Sequence, residues 1–214
     1  MKIFTLNIQV NQTNHKSTSS TFSKLGASFF FGMFFMLMAS VTAYADSGIF
    51  QTYAIINSGS GNQFYAGGLN PDGATLNFNN TNLGSYCPGG TLIINGGEVK
   101  TFKNGISDVF GANIYYRIYS TSGSAGSFNQ IPLLFNANLA NTGDQKWQTS
   151  GHNVNVLAGL TAGTYYLEVY WDANTSDGTK YDTNFGNNFK ATFTVLPPAL
   201  SAVVTNATCN GGNN

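Results

Sequence analysis

Apolar and polar positions alternate along residues 163–195. In the first half of this segment, one face would carry Tyr165, Leu167, Val169 and Trp171. The positions between them are Tyr166, Glu168, Tyr170 and Asp172. A period of two is expected of a strand with one buried face. The second half repeats the period with Phe189, Ala191, Phe193 and Val195 facing inward and Lys190, Thr192 and Thr194 facing outward. The pattern predicts two long strands joined by a connection rich in Asp, Asn and Gly.

Shorter segments of the same kind come before this pair of strands. Residues 112–119 place Ile114, Tyr116 and Ile118 on one face. Other strands are predicted at residues 49–57, 63–66, 74–78, 91–95, 98–103, 131–136 and 153–157. Turns are predicted at Asn70-Pro71-Asp72-Gly73 and Pro88-Gly89-Gly90, and a tight hairpin at Asn95-Gly96-Gly97. Together these segments predict an all-β fold, an immunoglobulin-like antiparallel β-sandwich.

The first 45 residues have the arrangement of a secretory signal peptide. Three lysines precede an apolar run at residues 25–38, and Ala43-Tyr44-Ala45 has the small residues of a signal peptidase site. An uncleaved membrane anchor is the alternative, but the run is shorter than the roughly 18 to 20 residues that a spanning helix requires. We therefore expect export and cleavage after Ala45, with membrane contact only during export.

Cleavage would change the charge balance of the chain. Residues 46–214 contain six basic and nine acidic residues, a net charge near −3. A mildly acidic chain with few charges lacks the basic patch that nucleic acid requires, so no nucleic-acid partner is expected. The surface is expected to consist mainly of Asn, Thr, Ser and Gly, which suits an exported β protein.

The two cysteines and two adjacent prolines bear on domain organisation. Pro197-Pro198 ends the strand pattern, because proline cannot donate to a sheet ladder. This predicts a sandwich at residues 46–196, a linker at residues 197–199 and a new segment at residues 200–214. Cys87 and Cys209 can pair in oxidising conditions, but they fall in different predicted domains, which disfavours an intramolecular disulfide.

The last segment, LSAVVTNATCNGGNN, resembles the beginning of an SprB-type repeat. The matching positions are Val204-Thr205, Thr208-Cys209 and Gly211-Gly212-Asn213, whereas Asn214 stands where aspartate is usual. The domain before it is similar to a β-sandwich module of Bacteroidota surface proteins. The similarity is carried by Gly96-Gly97-Glu98, Tyr115-Tyr116-Arg117, Trp147-Gln148 and the two long strands.

This resemblance implies a non-enzymatic N-terminal module of a large secreted, cell-surface adhesin used in gliding motility or attachment. It also implies export by the type IX route. The expected partners are further domains of the same polypeptide and extracellular polysaccharides or surfaces. The alternative is an accessory, carbohydrate-binding module of a secreted multidomain enzyme.

The connection between the two long strands is rich in oxygen ligands. Asp172, Asn174, Asp177 and Asp182 lie in it, and a hard cation such as Ca²⁺ prefers such oxygens. The spacing is not that of an EF-hand. Asp and Asn are also common in ordinary turns, and we favour the turn interpretation. No other cofactor is expected.

Four tyrosines are predicted on the outward face of the sheet: Tyr115, Tyr119, Tyr166 and Tyr170. Aromatic rings on a polar face can stack on sugar rings and form a ligand-binding surface. The alternative is that these rings cover the sheet, pack under loops or contact the next domain.

Candidate catalytic residues are few. His152 is the one histidine after residue 45, and its surroundings predict a loop. Glu98 and Glu168 are the two glutamates, and a glycosidase pair can be imagined from them. A cross-strand ion pair between Arg117 and Glu168 explains that glutamate without catalysis. The sequence therefore predicts a protein that is not an enzyme.

Overall fold

A computed structural model of the chain describes residues 46–68 and 76–199. In these residues it contains twelve strands and no helix, and hence no helix that could span a membrane. The strands are β1 (Asp46–Asn57), β2 (Asn62–Ala66), β3 (Leu76–Asn77), β4 (Asn82–Tyr86), β5 (Ile93–Asn104), β6 (Val109–Ser120), β7 (Asn129–Asn138), β8 (Gln145–Thr149), β9 (Val154–Asn155), β10 (Gly163–Thr175), β11 (Gly178–Asp182) and β12 (Phe189–Val195). The all-β prediction is confirmed. The predicted signal peptide, the turn at residues 70–73 and the repeat segment at residues 200–214 lie outside the described residues.

The strands form two layers that face each other. One layer has the order β3-β2-β1-β5-β8, with β9 added to β5. The other has the order β6-β10-β12-β4, with β11 added to β10. Antiparallel pairing dominates, and the pairs β2–β3 and β4–β12 are parallel. The result is the predicted sandwich-like fold.

Strand β7 joins the two layers. Its first half, residues 129–133, pairs with β6, and its second half, residues 134–138, pairs with β8. The sheet is therefore one continuous hydrogen-bonded path that curls over on itself at β7. This crossing was not predicted.

The core lies between the layers and is lined by the residues predicted to face inward. Leu167, Val169 and Trp171 of β10 have no exposed surface, and Phe189, Ala191 and Phe193 of β12 are equally buried. The indole Nε1 of Trp171 donates a hydrogen bond of 3.2 Å to the carbonyl oxygen of Tyr53 in the opposite layer. This bond satisfies the one polar atom of a fully buried side chain.

The hairpin predicted at Asn95-Gly96-Gly97 is wrong. These residues lie inside the continuous strand β5, where Asn95 is an extra residue between the pairs Ile55–Gly96 and Ile56–Ile94. Gly96 has a φ of 132°, and a Cβ built there would lie 2.0 Å from the carbonyl oxygen of Thr149. The glycine lies beside a β-bulge, where a side chain would collide with the backbone of Thr149.

Candidate functional site

The four predicted tyrosines lie together on the outward face of β6 and β10. The register places Tyr119 beside Tyr166 and Tyr115 beside Tyr170. The rings of Tyr115 and Tyr170 are stacked, with centres 4.5 Å apart and an angle of 4°. The rings of Tyr119 and Tyr166 are 5.5 Å apart and tilted by 47°. All four side chains are half-buried.

The centre of this face is a buried carboxylate. Glu168 is 1% exposed although it points away from the core. Its Oε1 lies 2.7 Å from Nη2 of Arg117, which confirms the predicted cross-strand ion pair. The same oxygen accepts a hydrogen bond of 2.7 Å from Nδ2 of Asn188, and Oε2 accepts one of 2.5 Å from the hydroxyl of Tyr119. Three donors therefore compensate the buried charge.

The segment between β6 and β7 folds back over this face. Nη1 of Arg117 donates a hydrogen bond of 3.1 Å to the carbonyl oxygen of Gly126. The Arg117 guanidinium lies 4.2 Å from the ring centre of Phe128, and that ring meets Tyr170 edge-on at 4.9 Å. The tyrosine rings thus contact one another and Phe128. This geometry agrees with rings that cover the sheet rather than with rings presented flat to a sugar.

The electrostatics of this face follow from burial and hydrogen bonding. Burial opposes ionisation of Glu168, but the hydrogen bonds from Arg117, Tyr119 and Asn188 outweigh it, so its pKa lies below the ordinary value. Burial and the hydrogen bond to Glu168 raise the pKa of Tyr119 to about 12. Burial and the hydrogen bond to Asp172 raise the pKa of Tyr115. These three groups therefore titrate far from neutrality, which does not suit general acid–base catalysis.

The four candidate calcium ligands lie on the hairpin of β10 and β11, where a loop was predicted. Asp172 pairs with Tyr181 and faces outward, whereas Asp182 pairs with the inward-facing Trp171. The two carboxylates are therefore on opposite faces of the ribbon. Asp172 accepts a hydrogen bond of 2.7 Å from Nδ2 of Asn113.

The other two candidates are also separated. Asp177 lies in the hairpin turn, and its Oδ2 accepts hydrogen bonds of 2.7 Å from the hydroxyls of Ser47 and Ser107. Asn174 is exposed on the outward face. Among residues 46–68 and 76–199, no group of three or more His, Cys, Asp or Glu side chains is arranged to hold a metal ion. The four residues do not form one coordination sphere.

We expect calcium to leave the stability of the protein unchanged. An ion that binds the folded state raises the melting temperature with its concentration, and a divided set of ligands offers no such site. Thermal unfolding in millimolar calcium chloride, with excess chelator as the control, measures this. A concentration-dependent rise of the melting temperature would show that the ligands do converge on an ion.

The candidate catalytic residues do not come together. Glu98 neighbours the inward-facing Val99 on β5 and therefore points outward from its layer, and Glu168 points outward from the other layer. The two glutamates lie on opposite outer faces of the sandwich and cannot flank one glycosidic bond. His152 is exposed in the loop after β8, as predicted.

A cavity that the sequence did not predict lies beside the loop between β11 and β12. Residues 183–188 form this loop, and the side chain of Phe185 is fully exposed at its tip. The cavity has a volume of about 270 Å³. Besides Phe185, its lining consists of Gly68, Tyr181, Asp182, Thr183, Asn184 and Phe189. The sequence signal was an aromatic residue placed between Asn and Gly in a predicted turn.

Comparison with known proteins gives no family assignment. No protein-family model matches the chain, and no curated protein matches it. What this protein does therefore has to be inferred from its own residues and their geometry.

Proposed function

We propose that the chain is an exported, non-enzymatic β-sandwich module of a larger cell-surface adhesin. The observation that carries this proposal is the way the chain leaves the sandwich. Strand β12 ends at Val195, the amide of Leu196 donates a hydrogen bond of 2.8 Å to the carbonyl oxygen of Tyr86, and Pro197 and Pro198 are exposed. Such an exit suits a linker to a following domain, and the segment after it resembles an SprB-type repeat.

The polar groups of the sandwich support a structural role. Glu168 is the most buried carboxylate in the described residues, and its two oxygens accept hydrogen bonds from Arg117, Tyr119 and Asn188. A carboxylate held in this way stabilises the pairing of β6, β10 and the loop before β12.

Export is expected to yield a mature chain that begins at Asp46. Asp46 is the first residue of β1 and pairs with Asn104, so cleavage after Ala45 leaves the folded region intact. N-terminal sequencing of protein released from the surface of intact cells by mild protease measures this. Recovery of chains that retain residues 1–45, or protection of the protein until the cells are lysed, would contradict the proposal.

An accessory carbohydrate-binding module of a secreted enzyme is the second candidate. The cavity beside Phe185 favours it, because an exposed aromatic ring next to a small cavity suits a sugar. Any sequence encoded beyond residue 214 would separate the two candidates. Further SprB-like repeats support the adhesin, and a hydrolase domain supports the enzyme module.

A further inference from the structure

The loop of residues 183–188 holds Phe185 in an unfavourable backbone conformation. Phe185 has a φ of 56°, and its neighbour Asn184 has a φ of 47°. A bulky side chain rarely adopts this left-handed region. The ring gains no burial in return, because it is fully exposed. Among the residues that the structure describes, none packs on this ring, so a ligand contact is one reason for an aromatic side chain at this position.

Hydrogen bonds within the loop and to Asp182 hold the loop in one conformation. The amides of Gly186 and Asn188 donate hydrogen bonds of 3.0 Å and 2.7 Å to the carbonyl oxygen of Thr183. Asp182, at the end of β11, accepts a hydrogen bond of 2.6 Å from the hydroxyl of Thr52 in the opposite layer. Backbone amides of Asn184 and Gly68 also donate to this carboxylate. The cavity wall is therefore pre-organised, and the one carboxylate in it is already satisfied by the protein.

The groups at the mouth of the cavity are aromatic rings and uncharged polar side chains. Phe185 and Tyr181, which is 59% exposed, supply aromatic surface, and Phe189 is one of the buried lining residues. Nδ2 of Asn184 already donates to the carbonyl oxygen of Asn188, and Oγ1 of Thr183 already accepts from the amide of Gly186. The Oδ1 atom and second amide hydrogen of Asn184 and the hydroxyl hydrogen of Thr183 can still bond a ligand. A pyranose ring has matching chemistry, because its C–H faces stack on aromatic rings and its hydroxyls bond to amides and hydroxyls.

We propose that this cavity binds a neutral pyranose unit of an extracellular polysaccharide, with Phe185 as the stacking residue. A charged saccharide fits less well, because Asp182, the charged side chain among the described lining residues, already accepts hydrogen bonds from the protein. The inference names a site and a ligand class for the proposed surface module and rests on that function for the source of the ligand. It places binding away from the β6–β10 tyrosines.

The test is native gel electrophoresis of the full chain in gels that contain soluble β-glucan, xylan, mannan or galactan. At least one of these is expected to retard the unmodified protein. Phe185→Gly should weaken the apparent affinity about tenfold, the effect of one lost ring contact. Glycine also accepts the positive φ, so the melting temperature of this variant should be equal or higher.

Phe110→Ala is the matched control, because Phe110 is 61% exposed on β6 and does not line the cavity. It should bind like the unmodified protein. The inference is overturned if no polysaccharide in the panel retards the protein, if Phe185→Gly binds unchanged, or if both variants weaken equally. Failure of binding by a chain that is found on the cell surface would leave the surface-module proposal standing. Polysaccharide binding by a chain that is never exported would support the binding site and contradict the surface-module proposal.

Discussion

Replacing Leu167 with alanine is expected to lower the free energy of unfolding by about 2 to 5 kcal/mol. Leu167 has no exposed surface on β10. It pairs with Ile118 of β6 on one side and Ala191 of β12 on the other. The truncation leaves a cavity that these neighbours cannot fill without moving their strands. Denaturant unfolding of the two proteins at equilibrium measures the difference.

The adjacent residue supplies the control for this experiment. Tyr166 faces outward, is half-buried and contacts the ring of Tyr119. Tyr166→Ala is expected to cost about 1 kcal/mol, because it removes one partly solvated ring contact. A larger loss for Tyr166→Ala than for Leu167→Ala would mean that the inward face of β10 is assigned incorrectly.

Replacing Glu168 with glutamine is expected to destabilise the protein by about 3 kcal/mol at pH 7. The substitution keeps the shape of the side chain but removes the charge that compensates Arg117, whose Nη2 lies 2.7 Å away. It also replaces one of the two carboxylate oxygens by a donating amide group, so a donor meets either Tyr119 at Oε2 or Arg117 and Asn188 at Oε1. Denaturant unfolding measures the loss. A neutral effect would mean that the network contributes nothing to stability.

The cost of this substitution should depend on pH. The pKa of Glu168 in the folded state lies below its ordinary value of 4.5, so the ionised side chain stabilises the fold above about pH 4.5. This stabilisation is lost as the pH falls through the folded-state pKa. The difference between the unmodified protein and Glu168→Gln should therefore shrink between pH 7 and pH 3. Burial raises the pKa of Asp182, so ionisation of this carboxyl lowers the stability of the fold as the pH rises. This contribution is the same in both proteins and cancels when their stabilities are compared. A difference that stays constant to pH 3 would contradict this account.

The strands with a regular alternation could be predicted from the sequence. The inward residues of β10 and β12 are buried as expected, and so are Ile114 and Tyr116 of β6, whereas Ile118 is half-buried. The observed register of β6 against β10 brings Arg117 beside Glu168, as the predicted ion pair requires.

Three strands gave too little pattern to be recognised. Strand β8 has the single large apolar residue Trp147, and β4 has the single apolar residue Leu83 between polar and aromatic neighbours. Strand β11, with the sequence GTKYD, has the composition of a turn. Each is completed by a neighbouring strand rather than by its own alternation, so tertiary pairing decides its structure.

The outward face and the cavity show what sequence alone could not provide. The alternation placed Glu168 outward correctly, but its burial depends on Asn188 and on the segment that carries Phe128, which come from distant positions. The conformation of Phe185 is set by the hydrogen bonds of its loop to Thr183. The periodicity of a strand predicts neither the burial of Glu168 by residues from distant segments nor the positive φ of Phe185.

The placement of the first and last strands affects how the module would respond to mechanical tension. Near the beginning of β1, Ser47 contacts Asp177 in the β10–β11 turn, whereas β12 ends at Val195 beside Gly163 at the other end of β10. The 13 residues of β10 separate these ends by about 40 Å. Tension applied through the two ends pulls β1 and β12 along their own axes. Their hydrogen bonds to β5 and β10 are then stretched in parallel instead of being opened one after another, which makes the sandwich resistant to extension between these two ends.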